Sequence, residues 1–178
     1  MRYLKDTGFV IKRTNIGEYD RYVTIFSQQH GKIELLAKGV RKISSRRLSY
    51  LELLNNIRFQ AVKGSKNYIL TEVEIVNSYE NLRQNLSNCK KLFSICELIE
   101  NLCPFNQVSF SVYALLTNTL AELQSEIQDN PINFQVQLLT QLGYWDDSRE
   151  FKSEDDITQY IESIIERRLK TNTYFNVT

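Results

Sequence analysis

Residues 38–47 concentrate positive charge in a way that favours a polyanionic partner. The stretch holds five Lys and Arg and no Asp or Glu, with the hydroxyls of Ser44 and Ser45 among them. Gly39 offers a backbone position at which a phosphate can come close. Cationic grooves follow a nucleic-acid backbone while aromatic side chains stack on bases. We therefore predict a nucleic-acid surface that comprises Lys12, Arg13, Arg21, Lys38, Gly39, Arg41, Lys42, Arg46, Arg47, Lys63 and Lys66. The tyrosines available for stacking, any of which could instead belong to the core, are Tyr19, Tyr22, Tyr50 and Tyr68.

The charge is divided unevenly along the 178 residues. Residues 1–77 hold fourteen Lys and Arg against seven Asp and Glu, whereas residues 78–178 hold eight against fourteen. The net charge of +1 therefore combines a basic half with an acidic half. This asymmetry indicates two regions with different partners, and the basic region suits a polyanion.

Residues that could carry catalysis are sparse. His30 is the single histidine and precedes Gly31 in a predicted hairpin turn, so we interpret it as a turn residue. The doublets Asp146-Asp147 and Asp155-Asp156 offer oxygen ligands for Mg²⁺. Their positions, in a loop and in the first turn of a helix, explain them instead by solvation and by compensation of the helix dipole, which is the interpretation we prefer. The sequence predicts a non-enzymatic protein without a cofactor.

Three cysteines, Cys89, Cys96 and Cys103, stand seven residues apart in a predicted helix. Successive sulfurs are then about 10 Å apart along the axis, too far for a disulfide or a shared zinc ion. We interpret them as small apolar core residues in a reducing compartment. The charged N-terminus does not resemble a secretory signal and no run is long and apolar enough for a membrane span, so we expect a cytoplasmic protein without a bound metal.

The first 77 residues show the alternation of strands. Three segments alternate in period two, and residues 7–14 and 20–27 add two further candidates. The residues that share a face are Ile33, Leu35 and Ala37, then Leu51, Leu53, Ile57, Phe59 and Ala61, and then Ile69, Thr71, Val73 and Ile75. Five short strands must close or cover their edges, and a five-stranded OB barrel does so most economically. A half-open sheet against a helix is the alternative.

After Asn77 the apolar spacing becomes helical. A first helix is predicted from Leu82 to Pro104 and a second from about Gln107 to Gln128. Asn130 and Pro131 begin a third, which ends before Gly143. Ser153 begins a fourth, which ends near Arg167, Arg168 and Lys170. The prediction is an α+β protein, with an OB-fold nucleic-acid-binding domain at 1–77 and an all-helical domain at 78–178.

Three stretches then point to a family. They are Gly8-Phe-Val-Ile-Lys-Arg13, Gly17-Glu-Tyr-Asp-Arg-Tyr-Val-Thr-Ile25 and His30-Gly-Lys-Ile-Glu-Leu-Leu-Ala-Lys-Gly-Val-Arg41. Further matching segments lie at residues 70–79, 138–144 and 166–171. In order and spacing the chain resembles the RecO family of DNA repair and recombination mediators.

The resemblance implies binding of single- and double-stranded DNA, strand annealing and a nucleoid-associated place in the cytoplasm. It also implies three partners, namely RecR, the C-terminal tail of single-stranded-DNA-binding protein and, indirectly, the recombinase RecA. Lys38, Gly39, Arg41 and Lys42 match the family's basic stretch.

Two departures from the family accompany this resemblance. Many relatives carry a four-cysteine zinc element after the Gly-Tyr pair, whereas Tyr144 is followed here by Trp-Asp-Asp-Ser-Arg149. We expect Trp145 and Phe151 to pack that corner instead. The chain is also short for the family, which puts part of any partner surface in question.

Two other classes of function stay open. The first is a protein adaptor that docks partners through its acidic helical half. The second is a metal-dependent nuclease that uses the aspartate doublets.

Overall fold

The computed structural model describes residues 3–125, 131–145 and 153–171. It divides the chain into two compact units. One unit contains Met1–Tyr79 and Pro104–Phe110, and the other contains Glu80–Cys103 and Ser111–Thr178. Each unit therefore draws on two separate stretches of sequence.

The first unit is built on five strands. They are β1 (Tyr3–Ile16), β2 (Asp20–Ser27), β3 (Gly31–Ala37), β4 (Asn56–Lys63) and β5 (Tyr68–Asn77). The strands close into a barrel in the order β1-β2-β3-β5-β4. The pairing of β3 with β5 is parallel, through Leu35 with Tyr68 and Leu36 with Ile69, and the other pairings are antiparallel. The predicted five-stranded OB barrel is confirmed.

Alternating side chains of all five strands fill the barrel. The core consists of Leu4, Val10, Val23, Ile25, Ile33, Leu35, Ala37, Val40, Leu51, Ile57, Phe59, Ala61 and Leu70. Packing of this kind follows from the two-residue period of a strand, which sends every second side chain inward. Val40 and Leu51 lie outside the strands, so the segment after β3 also contributes to the core.

A β-bulge changes which face of β5 points inward. Gln60 pairs with Glu72 whereas Ala61 pairs with Leu70, so Thr71 is an extra residue in β5. Leu70 is buried and Thr71 is exposed, and the Thr71 hydroxyl donates to the carbonyl oxygen of Gln60 at 3.0 Å. The prediction that Ile69 and Thr71 share the inward face is therefore wrong, because a bulge shifts the alternation by one residue.

The segment before β4 is not a strand. Alternation from Leu51 predicts extended chain, yet Ser49–Leu51 form a 3-10 turn and β4 begins at Asn56. Leu54 adopts a left-handed backbone with φ +62°, and its amide donates to the carbonyl oxygen of Val10 at 2.7 Å. The buried Asn55 side chain donates to the carbonyl oxygens of Ser49 and Tyr50, which holds the turn closed.

The segment Pro104–Phe110 covers an open edge of β3. Lys32 and Phe105 form an isolated parallel bridge, and the amide of Asn106 donates to the carbonyl oxygen of Lys32 at 2.9 Å. The Lys32 ammonium lies 4.5 Å from the centre of the Phe105 ring, a distance typical of a cation–π contact. The helix predicted from Gln107 therefore begins only at Phe110.

The second unit contains five helices in its described residues. They are α1 (Glu80–Arg83), α2 (Leu86–Leu102), α3 (Phe110–Gln124), α4 (Pro131–Gln141) and α5 (Glu154–Ile165), although Phe110 itself belongs to the first unit. The continuous helix predicted from Leu82 is interrupted at Asn85, whose side-chain oxygen accepts from the amides of Ser87 and Asn88. Such a cap satisfies the amides that begin a new helix. No helix within these described ranges is long and apolar enough to cross a membrane.

Both ends of α4 and the beginning of α5 follow the sequence signals closely. Pro131 begins α4, and Gly143 follows its end with φ +77°. The hydroxyl of Ser153 accepts from the amide of Asp156 and begins α5. The predicted cap Asn130 and the end of the second predicted helix at Gln128 lie outside the described residues.

The far end of α5 differs from the prediction. Glu166 adopts a left-handed backbone at φ +54° directly after Ile165. Arg167, Arg168 and Lys170 therefore follow the helix instead of lying in its last turn.

Gly31 provides a test of the covered edge of β3. Its φ is +66°, and a Cβ atom built on it would lie 1.9 Å from the carbonyl oxygen of Gln107. Gly17 has a similar φ of +55° but no heavy atom within 4 Å of the same position. Gly31→Ala should lower the free energy of unfolding by about 3 kcal/mol, against about 1 kcal/mol for Gly17→Ala, as strain alone predicts. Chemical denaturation of both variants measures the difference, and equal losses would show that the segment does not press on β3.

Candidate nucleic-acid interface

Residues 38–47, which we call the basic loop, follow β3 and are tied to the β1–β2 hairpin. Gly39 has a left-handed backbone at φ +63°, and its amide donates to the Asp20 carboxylate at 2.7 Å. The amide of Arg41 donates to the carbonyl oxygen of Tyr19 at 2.9 Å. Val40, between these two anchors, is fully buried in the barrel core. The loop is therefore a structured part of the barrel end.

Arg13 and Arg21 of the β1–β2 hairpin and Arg41 of the basic loop form what we call the arginine cluster. Asn15 and Arg21 are paired across the β1–β2 hairpin, and the Arg21 Nε donates to Asn15 Oδ1 at 2.9 Å. Alternate residues of a strand share a face, so Arg21 lies on the same face of β2 as the buried Val23. At the end of the barrel, this inward-facing position is therefore occupied by an arginine. The Arg41 Nη1 donates to the carbonyl oxygen of Gly17 at 3.2 Å, which holds it against the same hairpin.

The electrostatics of the arginine cluster favour an added anion. Burial lowers the pKa of Arg21, the positive charges of Arg13 and Arg41 lower it further, and Glu52 partly opposes them. Arg21 Nη1 is buried and has no hydrogen-bond partner among the residues that the structure describes. Arg13 pairs with Glu52 at 2.5 Å. A phosphate bound beside the arginine cluster would offset the mutual repulsion of its charges.

Tyr19 connects the hairpin to the basic loop. It is an exposed residue, unlike the half-buried Tyr22, Tyr50 and Tyr68. The Lys42 ammonium lies 5.6 Å from the centre of the Tyr19 ring. A hydrogen bond with Glu18, with a smaller effect of desolvation, raises the pKa of Tyr19.

The second half of the basic loop presents further cations. Arg47 Nη2 donates to the carbonyl oxygen of Lys38 at 2.9 Å, which brings the two ends of the loop together. Lys38, Lys42 and Arg46 are exposed, as is Lys12 in β1. The two segments that form this surface, residues 12–21 and 38–52, contain eight Lys and Arg against three Asp and Glu.

Two of the predicted binding residues, Lys63 and Lys66, lie elsewhere on the barrel. Lys63 ends β4 where it pairs with Tyr68, and Lys66 lies in the turn between them. Lys66 lines a cavity of about 530 Å³ together with Leu4, Gln29, His30, Ile33, Glu34, Asn67, Tyr68, Phe105, Asn106 and Val108. The structure thus brings nine of the eleven predicted residues to one end of the barrel and places two at the β4–β5 hairpin.

His30 is a turn residue, as predicted, and it is oriented by a buried carboxylate. The Asp6 side chain is 1% exposed and accepts from the amides of Thr7 and Gln29. His30 Nδ1 lies 2.8 Å from Asp6 Oδ2. Sequence patterning gave no signal for this contact, because the two residues are 24 positions apart.

The remaining candidates from the sequence, where the structure describes them, lie in or at the ends of helices. Cys89 and Cys96 lie in α2, Cys103 caps it, and none of the three forms a disulfide. Asp155 and Asp156 lie in the first turn of α5, whereas Asp146, Asp147 and Phe151 fall outside the described residues. Trp145 packs edge-on against Tyr160 with ring centres 5.9 Å apart.

A closed five-stranded barrel with this strand order is the architecture of the OB fold, a class whose members bind oligonucleotides or oligosaccharides. A family model described as "Recombination protein O N terminal" matches residues 1–79. The chain is 32% identical over 148 residues to the DNA repair protein RecO of Acetivibrio thermocellus, covering 81% of this chain and 59% of the relative. It is 31% identical over 141 residues to RecO of Symbiobacterium thermophilum, covering 77% and 55% respectively. The chain belongs to the RecO family, whose curated members carry the description DNA repair protein.

The alignment covers only part of the length of each relative. RecO of Thermoanaerobacter sp., at 28% identity over 148 residues, is likewise covered over 59% of its length. The chain thus spans somewhat more than half the length of the curated relatives that it matches.

We predict that the purified protein binds no stoichiometric zinc. Within the described ranges, no three His, Cys, Asp or Glu side chains converge as a metal site requires. Cys89 and Cys103 stand at opposite ends of α2, and His30 belongs to the barrel unit. Elemental analysis after dialysis should give well under one zinc per chain, and one equivalent would contradict the prediction.

Proposed function

We propose that this chain binds single- and double-stranded DNA through the basic loop and the arginine cluster. The observation that carries the proposal is the arginine cluster, in which Arg41 is bonded to the β1–β2 hairpin and the charges of Arg13 and Arg41 act on the partly buried Arg21. Such a group gains more from a phosphate than a fully solvated cation does, because it has already lost part of its water. Binding is largely independent of sequence, since the loop offers charge and hydroxyls and no helix for a DNA groove.

The same surface suits strand annealing without covalent chemistry. Two complementary strands repel each other through their phosphates, and a cationic surface that screens both lowers this repulsion. The role that we propose for the full-length protein is the one that the resemblance to the RecO family implies. It anneals complementary strands, helps to load the recombinase RecA onto coated single strands, and contacts RecR and the C-terminal tail of single-stranded-DNA-binding protein. The protein acts without catalysis of its own.

Salt dependence tests the electrostatic basis of binding. Eight cations against three anions on this surface correspond to a net charge near five. If about five phosphates are neutralised, log K for single-stranded DNA should fall against log salt with a slope of about −3.5. Fluorescence anisotropy of a labelled oligonucleotide at several salt concentrations measures it, and a slope near zero would reject the proposal.

Removing charge from the basic loop tests its location. Replacing Arg41, Lys42, Arg46 and Arg47 together with Ala should reduce the slope to about −0.7 and weaken both binding and annealing. Loss of the exposed Lys42 and Arg46 should change stability by less than about 0.5 kcal/mol each, and loss of Arg41 and Arg47, which each donate to a backbone carbonyl oxygen, by about 1 kcal/mol each. Thermal denaturation followed by circular dichroism verifies that the variant stays folded.

A matched pair of variants separates location from total charge. Arg46→Ala with Arg47→Ala removes two adjacent arginines from the loop, and Arg167→Ala with Arg168→Ala removes two from the segment after α5. Only the loop pair should weaken annealing. Equal effects would favour binding by overall charge, and unchanged annealing in the folded quadruple variant would favour the adaptor function.

Removing the negative charge of Glu52 should strengthen DNA binding, whereas removing cations from the loop should weaken it. It pairs with Arg13 at 2.5 Å and is the carboxylate that opposes the positive charges around Arg21. Glu52→Gln should therefore release one cation for phosphate, tighten DNA binding and steepen the slope by about 0.7. The control is Glu74→Gln, which breaks the exposed pair with Arg58 on β4 and should leave DNA binding unchanged. Weaker binding by Glu52→Gln would show that Arg13 serves the fold and not the ligand.

A further inference from the structure

The outermost point of the basic loop is an apolar side chain. Ile43 has 107% of its reference exposure, so no neighbouring residue shields it from water. It occupies the corner of a tight turn, in which the amide of Ser45 donates to the carbonyl oxygen of Lys42 at 2.8 Å. Turn corners favour Gly, Pro, Asn, Asp and Ser, whereas a β-branched apolar residue has no local advantage there.

The rest of the loop keeps Ile43 in this position. Val40 is buried in the barrel core, and Arg47 is bonded to the carbonyl oxygen of Lys38. The Lys42 ammonium lies over the Tyr19 ring. The turn is thus supported on both sides, and the chain around Ile43 is tied to the barrel.

The surroundings of Ile43 are mainly cationic. Within the basic loop it is the one exposed apolar side chain, while Ile16 and Tyr19 are partly exposed on the neighbouring β1–β2 hairpin. In the basic loop and the residue after it, Val40 is buried and Leu48 half-buried, while Lys42 and Arg46 are exposed. A stable protein interface needs a much larger apolar patch, and insertion of a loop into a lipid surface needs several apolar side chains. A single apolar tip among cations matches the wedges that nucleic-acid-binding proteins insert between bases.

We propose that Ile43 inserts between two adjacent bases of bound DNA while the surrounding cations hold the phosphates. This inference rests on the proposed DNA binding and adds a contact that does not depend on charge. Opening a base step costs less in a single strand than in a duplex. Ile43 therefore favours single-stranded DNA, and the opened step leaves base edges accessible to a complementary strand.

The experiment compares Ile43→Ser with Ile75→Ser, which removes an apolar side chain that is 40% exposed on β5. Neither change alters charge. Ile43→Ser should weaken binding to a single-stranded oligonucleotide about fivefold to tenfold at every salt concentration and leave the salt slope unchanged. Ile75→Ser should bind as the unaltered protein does, and Ile43→Leu should retain most of the affinity.

A fluorescent base reports insertion directly. An oligonucleotide that contains 2-aminopurine brightens when the base loses its stacked neighbour, so its emission should rise with the unaltered protein and not with Ile43→Ser at saturation. Unchanged affinity and equal brightening for Ile43→Ser would overturn the inference while leaving the proposed function intact. If Ile43→Ser instead abolished binding to anionic phosphatidylserine vesicles alone, a lipid contact would replace it. Absence of DNA binding by the unaltered protein would reject the proposed function itself.

Discussion

The burial of Val40 is the constraint on which the arrangement of charge depends. Cations that are close together repel one another, and a free loop would separate them until water screened the repulsion. Here Val40 lies in the barrel core, the amide of Gly39 is bonded to Asp20, and Arg41 is bonded to Tyr19. The apolar core thus holds the basic loop against the hairpin that carries Arg21. The packing that stabilises the barrel therefore also holds the positive charges together at its end.

Alternation of apolar residues is a local signal, and it predicted the five strands and the OB barrel because it needs no knowledge of distant contacts. The pattern predicted the wrong structure at two places, where a strand contains one extra residue and where a turn replaces extended chain. Thr71 lies in a bulge, and Leu51 belongs to a 3-10 turn despite its apolar spacing. Both features depend on pairing with β4 or on side-chain bonds to the backbone, which a periodic pattern does not contain. The helix break at Asn85 also depends on a side-chain bond to the backbone, because Asn85 caps α2. The apolar spacing continues through this position and therefore gave no sign of the break.

The sequence predicted which cationic residues could form the candidate site, but only partly which of them lie together in the fold. Charge counting identified the cations, since charge is a property of each residue alone. It did not separate Lys63 and Lys66 from the others, because their position follows from the register of the β4–β5 hairpin. Nor did it reveal that Glu52 partly neutralises Arg13. Such pairings are formed by residues distant in sequence, and the fold alone decides which of them meet.

The contribution of Pro104–Phe110 to the barrel unit has a consequence for biosynthesis. Translation completes the last barrel strand at Asn77, but the segment that bonds to Lys32 follows α2 and appears about thirty residues later. At a bacterial elongation rate of about 5–20 residues per second, the edge of β3 stays uncovered on the ribosome for a few seconds. During that interval β3 offers free backbone groups to a neighbouring nascent chain on the same messenger RNA. The order of synthesis therefore leaves this edge of β3 open to mispairing from the completion of β5 until Pro104–Phe110 has been made.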